Sequence, residues 1–337
     1  MHSVYAVENP LMDVIAHVDH AFLKRFSKVP GTMHLVDYPE ILALLRELGS
    51  FRTSPGGSAA NMARGIAWLS GPDGRAFRRG VLGAAPGADV MLAAPVFNGA
   101  VGDDARGDEF SSLIVGSGVA VALVRKKTPT GTSVILVTPE GERTMNTFLG
   151  ACRDFQSSDL DTSLLASSRM LYLTGYLWDT ENQRNAAERA VSFARARGIA
   201  VAFDLADPFA VRRYGEQFRA WIPGNVDVLF GNQDELSLLA GGACDEDCVG
   251  IAAKMSPIVV MKVGKKGCII GHDGAIDAEP SVSTTVVDTT GAGDAFAAGF
   301  LYGHLAGVDA RSCARLANAL AARVVGTEGC RYGEDGQ

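Results

Sequence analysis

The run Asp288-Thr289-Thr290-Gly291-Ala292-Gly293-Asp294 opens onto the apolar stretch AFAAGFLYGHLAG. Small residues ahead of a helix let several backbone N–H groups converge on one point, which makes a hole for a phosphate anion. Asp294 then stands in the first helical turn beside that hole. The positive end of the helix keeps such a carboxylate ionised, as a base that must take a proton from a hydroxyl requires. The same letters also fit an acidic residue that only stabilises a helix start after a glycine turn. A dinucleotide fingerprint fits less well, because Phe296 stands where its third glycine belongs and no acidic partner follows at the right distance.

Two further runs carry chemistry. Ser54-Pro55-Gly56-Gly57-Ser58-Ala59-Ala60-Asn61 leads into helical spacing over 59–70. Gly57 has no side chain to keep a ligand away, so backbone amides and Asn61 suit a polar small molecule such as a sugar diol. A plain turn with Ser58 as the helix cap fits equally. Gly231-Asn232-Gln233-Asp234-Glu235 directly follows the apolar run VDVLF, and residues at the C-terminal end of a parallel strand sit where α/β enzymes bind ligands. Asn232 and Glu235 share one face of a first helical turn, suited either to a hydrated Mg²⁺ beside phosphates or to a capping box. No GxxxxGK[ST] loop occurs, since VGKKG at 263–267 lacks the earlier glycine and the hydroxyl. The HRD and DFG signatures of protein kinases are missing as well. Any phosphoryl transfer in this chain must use another architecture.

These runs need a frame, and from about residue 169 the frame is regular. The β-rich runs RMLYLTGY, GIAVAFD, VDVLFGN and PIVVMKVG alternate with helical stretches at 181–197, 208–221, 233–241 and 245–255, the pattern of βαβ units and a parallel sheet. After CIIGHDG and VSTTVVD come helical segments at 291–306 and 309–325, the second with Asp309 as its cap. Earlier, VYAVENPLMDVIAHV reads as one entering strand, and the helix from 59 stops at Gly71 and Pro72. The stretch 72–98 reads as loop with a short strand near MLAAPVF. VAVALVRKK and TSVILVTPEG, joined by TPTG, read as an antiparallel hairpin, a candidate lid that would exclude water from a transfer reaction.

The 337 residues carry 31 basic against 38 acidic side chains, a net charge of −7 with no dense basic run, which excludes a sequence-independent nucleic-acid binder. The N-terminal stretch lacks a basic n-region and is broken by Pro10 and Asp13, so no signal peptide is expected, nor any membrane partner. Six scattered cysteines point to a reduced, cytoplasmic setting. Cys244 and Cys248 have no second Cys/His pair at metal spacing and read as an acidic loop entering a helix. His17, His20, His34 and His304 likewise read as structural or surface residues. Glycine is in excess, 39 where average usage would give roughly 24.

GGSAAN at 56–61, N-x-x-E at 232–235 and DTTGAGDAFAAGF at 288–300 resemble, in order, the three motifs of the PfkB carbohydrate kinase (ribokinase) family. The similarity runs from about residue 4 to about residue 330. Within the family, Asn9-Pro10-Leu11-Met12-Asp13 and the helix-like VDHAFLKRFS after it look like the adenosine kinase branch. GERTMNTFLGA, LYLTGYLWD and GTEGC are similar to members labelled adenosine or sugar kinases.

The resemblance implies a ribokinase-like α/β fold: a doubly wound, mostly parallel sheet flanked by helices, with a small β-sheet lid. It implies one kinase domain over 1–337, the lid formed by segments about 12–38 and 119–150. It makes Asp294 the general base and the N–H groups of Gly291, Ala292 and Gly293 the anion hole. Asp13, Gly56, Gly57 and Asn61 would bind sugar hydroxyls, with Ser58 near a nucleobase edge and Asn9 near the same pocket. Asn232 and Glu235 would organise Mg²⁺ through water. Lys262, Gly264, Gly267, Thr290, Asn318 and Asn232 would face ATP, with Arg143 reaching its phosphates on closure. Asp288 and Thr290, with the loop 326–330, would hold a monovalent cation such as K⁺.

The expected activity is ATP- and Mg²⁺-dependent phosphorylation of the primary hydroxyl of a ribonucleoside, adenosine foremost. The same transfer to fructose, ribose or a related sugar is the alternative, and a non-catalytic nucleoside or sugar sensor is the alternative of another class. A nucleoside site needs an apolar or aromatic slot, which Met33, Met145, Tyr176 and Trp178 are expected to supply. The expected partner is the small-molecule substrate alone, bound to a monomer or homodimer.

Overall fold

The computed structural model describes residues 1–85 and 87–333; Pro86 and the last four residues of the expected 1–337 domain lie outside the described residues. Fourteen strands form two sheets: β1 (His2–Val7), β2 (Leu11–His17), β3 (Met33–Leu35), β4 (Arg52–Gly56), β5 (Val96–Gly102), β6 (Ala120–Lys126), β7 (Thr132–Val137), β8 (Arg143–Phe148), β9 (Ser168–Thr174), β10 (Ala200–Asp204), β11 (Val228–Asn232), β12 (Ile258–Lys262), β13 (Cys268–His272) and β14 (Ala275–Glu279). The large sheet has the order β14-β13-β12-β11-β10-β9-β1-β5-β6, and the small one β3-β8-β7-β2-β4.

From β6 through β12 the large sheet is parallel, and β13 and β14 extend it antiparallel. The connections diverge at β1, which has β5 on one side and β9 on the other. Such a switch point opens a crevice beyond the C-terminal strand ends. Alternation along the strands sends Val4, Ala6 and Tyr172 to one face and Tyr5, Val7 and Leu171 to the other, where helices cover each set. The helix Ala292–Leu305 is buried along almost its whole length between its neighbours, so its N-terminus is rigidly placed.

The small sheet uses the same alternation differently. Val14, Val134 and Leu136 pack with Ile41 and Leu44 of the helix Tyr38–Glu47. The opposite face, with Asp13, Ser133, Met145 and Thr147, looks across the crevice at the large sheet. Asp13 lies beside Ser133, Ser133 beside Thr147, and Met33 beside Met145.

Several expectations from the first half of the chain are corrected. VYAVENPLMDVIAHV is two strands in two sheets, because Pro10 has no N–H to continue a ladder and the chain turns at Glu8-Asn9-Pro10. The VAVALVRKK and TSVILVTPEG hairpin does not form. β6 pairs parallel with β5 in the large sheet, while β7 pairs antiparallel with β8. The small sheet therefore excludes Ala120–Lys126 and gains Arg52–Gly56. Residues Pro72–Leu82, read as loop, form a helix with Pro72 in its first turn, where the missing N–H has no partner to lose. In the second half the helices at 181–195, 208–221, 233–240, 245–252, 292–305 and 310–325 lie where the periodicity placed them, and Asp309 caps the last. Among the described residues no helix is long and apolar enough to cross a membrane.

Candidate active site

A crevice of about 920 Å³ runs between the two sheets. The ends of four parallel strands reach it, with Glu8 and Asn9 after β1, Asp204 ending β10, Asn232 ending β11 and Lys262 ending β12. The starts of the helices Ser58–Ser70 and Ala292–Leu305 enter from the same side.

Asp294 stands at the centre. Ser58 Oγ donates to its Oδ1 at 2.6 Å and Asn61 Nδ2 to its Oδ2 at 2.9 Å, so both carboxylate oxygens are fixed. One expectation is corrected: Gly57, not Ser58, is the cap residue of the helix, while Ser58 and Asn61 both line the crevice beside Asp294. Gly57 is the residue ahead of that helix, at φ +98°, and a Cβ there would lie 2.4 Å from the Asn9 carbonyl oxygen. Only glycine makes that turn without moving Ser58.

Burial pushes Asp294 above the ordinary carboxylate value. The bonds from Ser58 and Asn61 pull it back, the Asp204 charge raises it and the Lys262 charge lowers it. The net upward shift, against the sequence expectation that the helix end governs, makes the carboxylate a stronger base than an ordinary aspartate.

The anion hole is smaller than expected. Ala292 N–H donates to the Thr289 carbonyl at 3.2 Å, so it is not free. Among the described residues the N–H groups of Gly291 and Gly293 have no such acceptor. Gly291 adopts φ +75°, and a Cβ there would collide with Cys330. Lys262 Nζ lies 3.4 Å from where a Gly293 Cβ would be and 2.8 Å from Asp204 Oδ2. Burial opposes the Lys262 charge, but Asp204 and Glu235 outweigh it and raise its pKa. The lysine therefore brings a fixed positive charge to the hole.

At the β11 end the capping box forms. Asn232 Oδ1 accepts from Glu235 N–H at 2.9 Å, while both Glu235 oxygens accept from Asn232 at 2.7 Å. Glu235 is buried, and its carboxyl rises to about 7, with Lys262 pulling it down and Asp204 up. Among the described residues no group of three or more His, Cys, Asp or Glu side chains could hold a metal by itself. Asn232 and Glu235 are oxygen donors of the kind that can hold the water of a hydrated Mg²⁺. Cys244 is exposed and Cys248 is buried, at the acidic start of the helix Asp245–Ala252.

Asp13 faces the crevice from β2, and Gly56 is small because the Asp13 carboxylate lies over it, 2.4 Å from a Cβ position. Burial lifts Asp13 to about 7, against the charges of Arg143 and Arg64. Asn9 also lines the crevice, with its Oδ1 held by Gln183 Nε2 at 2.6 Å. Met33, Met145 and Tyr176 line one end with Leu11, Leu35 and Leu149. Trp178 does not. It is buried edge-on against Phe203, Phe218 and Trp221.

Gly264 and Gly267 line the opposite end at φ +58° and +103°, beside Ser281 and Val282. Asn318 lines it too, though its amide is committed to the carbonyls of Glu279 and Pro280 at 3.2 Å and so shapes the loop. Arg143, expected to reach the phosphates on closure, forms an ion pair with Asp288 at 2.8 Å here and donates to Thr290 Oγ1. A guanidinium thus stands where a monovalent cation was expected, and the residues present do not fit a free ion there.

Glu8 and Asp204 were missed by the sequence reading. Glu8 accepts from Ala59 N–H at 2.6 Å and Thr174 Oγ1 at 3.0 Å, pinning the helix that carries Ser58 and Asn61. Asp204 ends the run VAFD as Asn232 ends VLFGN, so the strand-end argument that found Asn232 would have found it.

The sequence matches the pfkB family carbohydrate kinase over residues 32–335. It is 32% identical to an uncharacterized sugar kinase of Archaeoglobus fulgidus over 241 residues, 70% of this chain and 92% of that one. It is 31% identical to a nucleoside kinase of Methanothermobacter thermautotrophicus over 238 residues, 68% and 72% of the two chains. Its fold matches the crystal structure of adenosine kinase from Sinorhizobium meliloti with a TM-score of 0.84 at 31% identity, covering 98% and 95% of the two chains.

Proposed function

Because the chain belongs to the pfkB family of carbohydrate kinases, we propose that it transfers the γ-phosphoryl group of ATP to the primary hydroxyl of a ribonucleoside, adenosine foremost. The observation that carries this reading is the Asp294 carboxylate, fixed by Ser58 and Asn61 in the crevice that Asp13, Asn9, Gly291 and Gly293 also line. A carboxylate so placed accepts the hydroxyl proton as the oxygen attacks phosphorus. The free N–H groups and Lys262 favour charge on the transferring phosphoryl group over the same charge in water. The small sheet acts as the lid, and its crevice face excludes water from the transfer.

Mg²⁺, when bound, neutralises phosphate charge, and Asn232 and Glu235 would hold its water. Asp13 suits the two hydroxyls of a ribose, since an ionised carboxylate accepts from both. The nucleoside assignment rests on the apolar end formed by Met33, Leu35, Met145, Leu149 and Tyr176, which a free sugar would leave empty. The sugar alternative draws on the polar floor of Asp13, Ser133 and Thr147. Six unpaired cysteines accord with a cytoplasmic enzyme.

The test is ADP release by the purified protein against a panel of nucleosides and sugars, beside Asp294→Asn. A nucleoside is expected to give the highest kcat/KM, and the variant to lose a factor of about 10² to 10⁴ in kcat. Preference for fructose or ribose over every nucleoside overturns the substrate assignment. A variant as active as the wild type overturns Asp294 as the base.

A further inference from the structure

Arg143 opens β8 in the small sheet, yet its side chain ends on the loop that precedes the helix Ala292–Leu305. Its Nη1 lies 2.8 Å from Asp288 Oδ1 and also donates to Thr290 Oγ1. The Asp288 side chain is only 3% exposed. Its Oδ1 accepts from Thr290 N–H at 2.9 Å and its Oδ2 from Gly329 N–H at 2.5 Å. One carboxylate thus gathers three pieces of chain: the loop 288–290, the turn at 329 and the first residue of β8. From Thr290 the backbone passes directly into Gly291 and Gly293, so the shape of the anion hole depends on this knot.

A carboxylate this deeply covered needs a counter-charge, because an unpaired one costs several kcal/mol. The only cation recorded against Asp288 among the described residues is the Arg143 guanidinium. Its donors reach Asp288 Oδ1 and Thr290 Oγ1, oxygens of the two residues beside which a monovalent ion was expected. The planar guanidinium carries its charge permanently, so the pair does not depend on the ionic composition of the medium.

We propose that Arg143 is the built-in counter-ion of the anion-hole loop, replacing a free monovalent cation and tying the small sheet to the site of phosphoryl transfer. Arg143 is in this sense a positioning residue: it acts on the Gly291 and Gly293 N–H groups through Asp288 and Thr290. The inference rests on the kinase reading of the anion hole, but not on the choice between nucleoside and sugar.

The test compares wild type, Arg143→Met and Arg143→Lys in tetramethylammonium chloride, with KCl exchanged in from zero to about 100 mM at constant ionic strength, close to a Debye length of about 10 Å throughout. Two quantities are read: ADP release with the best substrate found, and thermal unfolding without substrate or nucleotide. Wild-type kcat and Tm are expected to change little with KCl. Arg143→Met is expected to lose at least tenfold in kcat and to recover several-fold on KCl, with a parallel rise in Tm. Arg143→Lys, with a point charge on a stem of similar reach, is expected to keep more activity and to respond less to KCl. Several-fold activation of the wild type by KCl overturns the proposal. So does an Arg143→Met protein whose rate falls while neither rate nor Tm responds to KCl, since the arginine then acts on phosphate and not on Asp288. Should no substrate be found, the unfolding measurement alone decides the matter. Should Arg143→Met not fold, Arg143→Lys and the wild type decide it: rates and Tm that stay flat with KCl in both support the proposal, and several-fold activation of the wild type by KCl overturns it.

Discussion

Glu8 gives the most sharply defined test of the electrostatics of the crevice. It follows β1, is 3% exposed, and holds Ala59 N–H and the Thr174 hydroxyl. Burial pushes its carboxyl from an ordinary 4.5 up to about 8, with Ala59 and Thr174 pulling down and the charges of Asp294 and Asp204 pushing further up. Between these two pH values the native protein keeps a proton that the unfolded chain has released. Stability is therefore full below about 4.5 and is lost progressively as pH rises through about 8. At about 1.36 kcal/mol per pH unit, the whole window amounts to about 5 kcal/mol, of which about 4 accrues between pH 5 and pH 8. Glu8→Gln abolishes the titration while keeping both hydrogen bonds, since the amide oxygen can accept from Ala59 and the NH₂ can donate to Thr174. Other carboxylates titrate in both proteins and largely cancel in the comparison. With an unfolding entropy of about 2.1 cal/mol/K per residue, a chain of this length changes Tm by about 1.4 °C per kcal/mol. The Tm of Glu8→Gln minus that of the wild type is thus expected to grow by about 6 °C from pH 5 to pH 8 in thermal unfolding. Parallel Tm profiles would refute the reasoning, because they would mean that Glu8 folds with its charge intact.

Gly57→Ala forces a Cβ to within 2.4 Å of the Asn9 carbonyl at φ +98°, so the turn must shift and take Ser58 with it. Backbone strain of about 1–3 kcal/mol at this point predicts a loss of about tenfold or more in kcat/KM, read by steady-state kinetics. Asp13→Ala removes the carboxylate proposed to hold the substrate hydroxyls, and a rise of about 10- to 100-fold in KM is expected. A drop in kcat with KM unchanged would move Asp13 from binding to chemistry. Because burial raises Asp294, and activity needs it ionised, kcat/KM is expected to fall with decreasing pH at a point above the ordinary 3.8 of an aspartate. A profile flat down to pH 4 would contradict that shift.

The motifs were legible because each is short and local. Gly57, Gly291 and Gly267 are dictated by positive φ or close backbone approach, and such demands leave the same residue type in any sequence that meets them. The second half of the parallel sheet was legible for a related reason: continuous apolar runs alternate with helical periodicity, and each βαβ unit is nearly self-contained. The helix Pro72–Leu82 was hidden by its three punctuating residues, Pro72, Gly74 and Gly80, although Pro72 occupies the one turn that tolerates it. β6 and β7 are separated by a turn-like TPTG, and no local signal says that one joins the large sheet and the other the small one.

By itself the sequence determined the reaction class and most of the residues that meet in the crevice, because phosphate cradles and strand-end positions are properties of a few consecutive residues. Only the tertiary structure decided what those residues do to one another. Ser58 and Asn61 clamp Asp294, the Ala292 N–H bonds to the Thr289 carbonyl, and Trp178 went to the core instead of the slot. Arg143 and Asp288, 145 positions apart, became an ion pair between the small sheet and the loop before the helix Ala292–Leu305. Charge neutralisation, burial and the direction of a side chain depend on which distant strand lies alongside, and that neighbour is fixed by the packing of the whole chain.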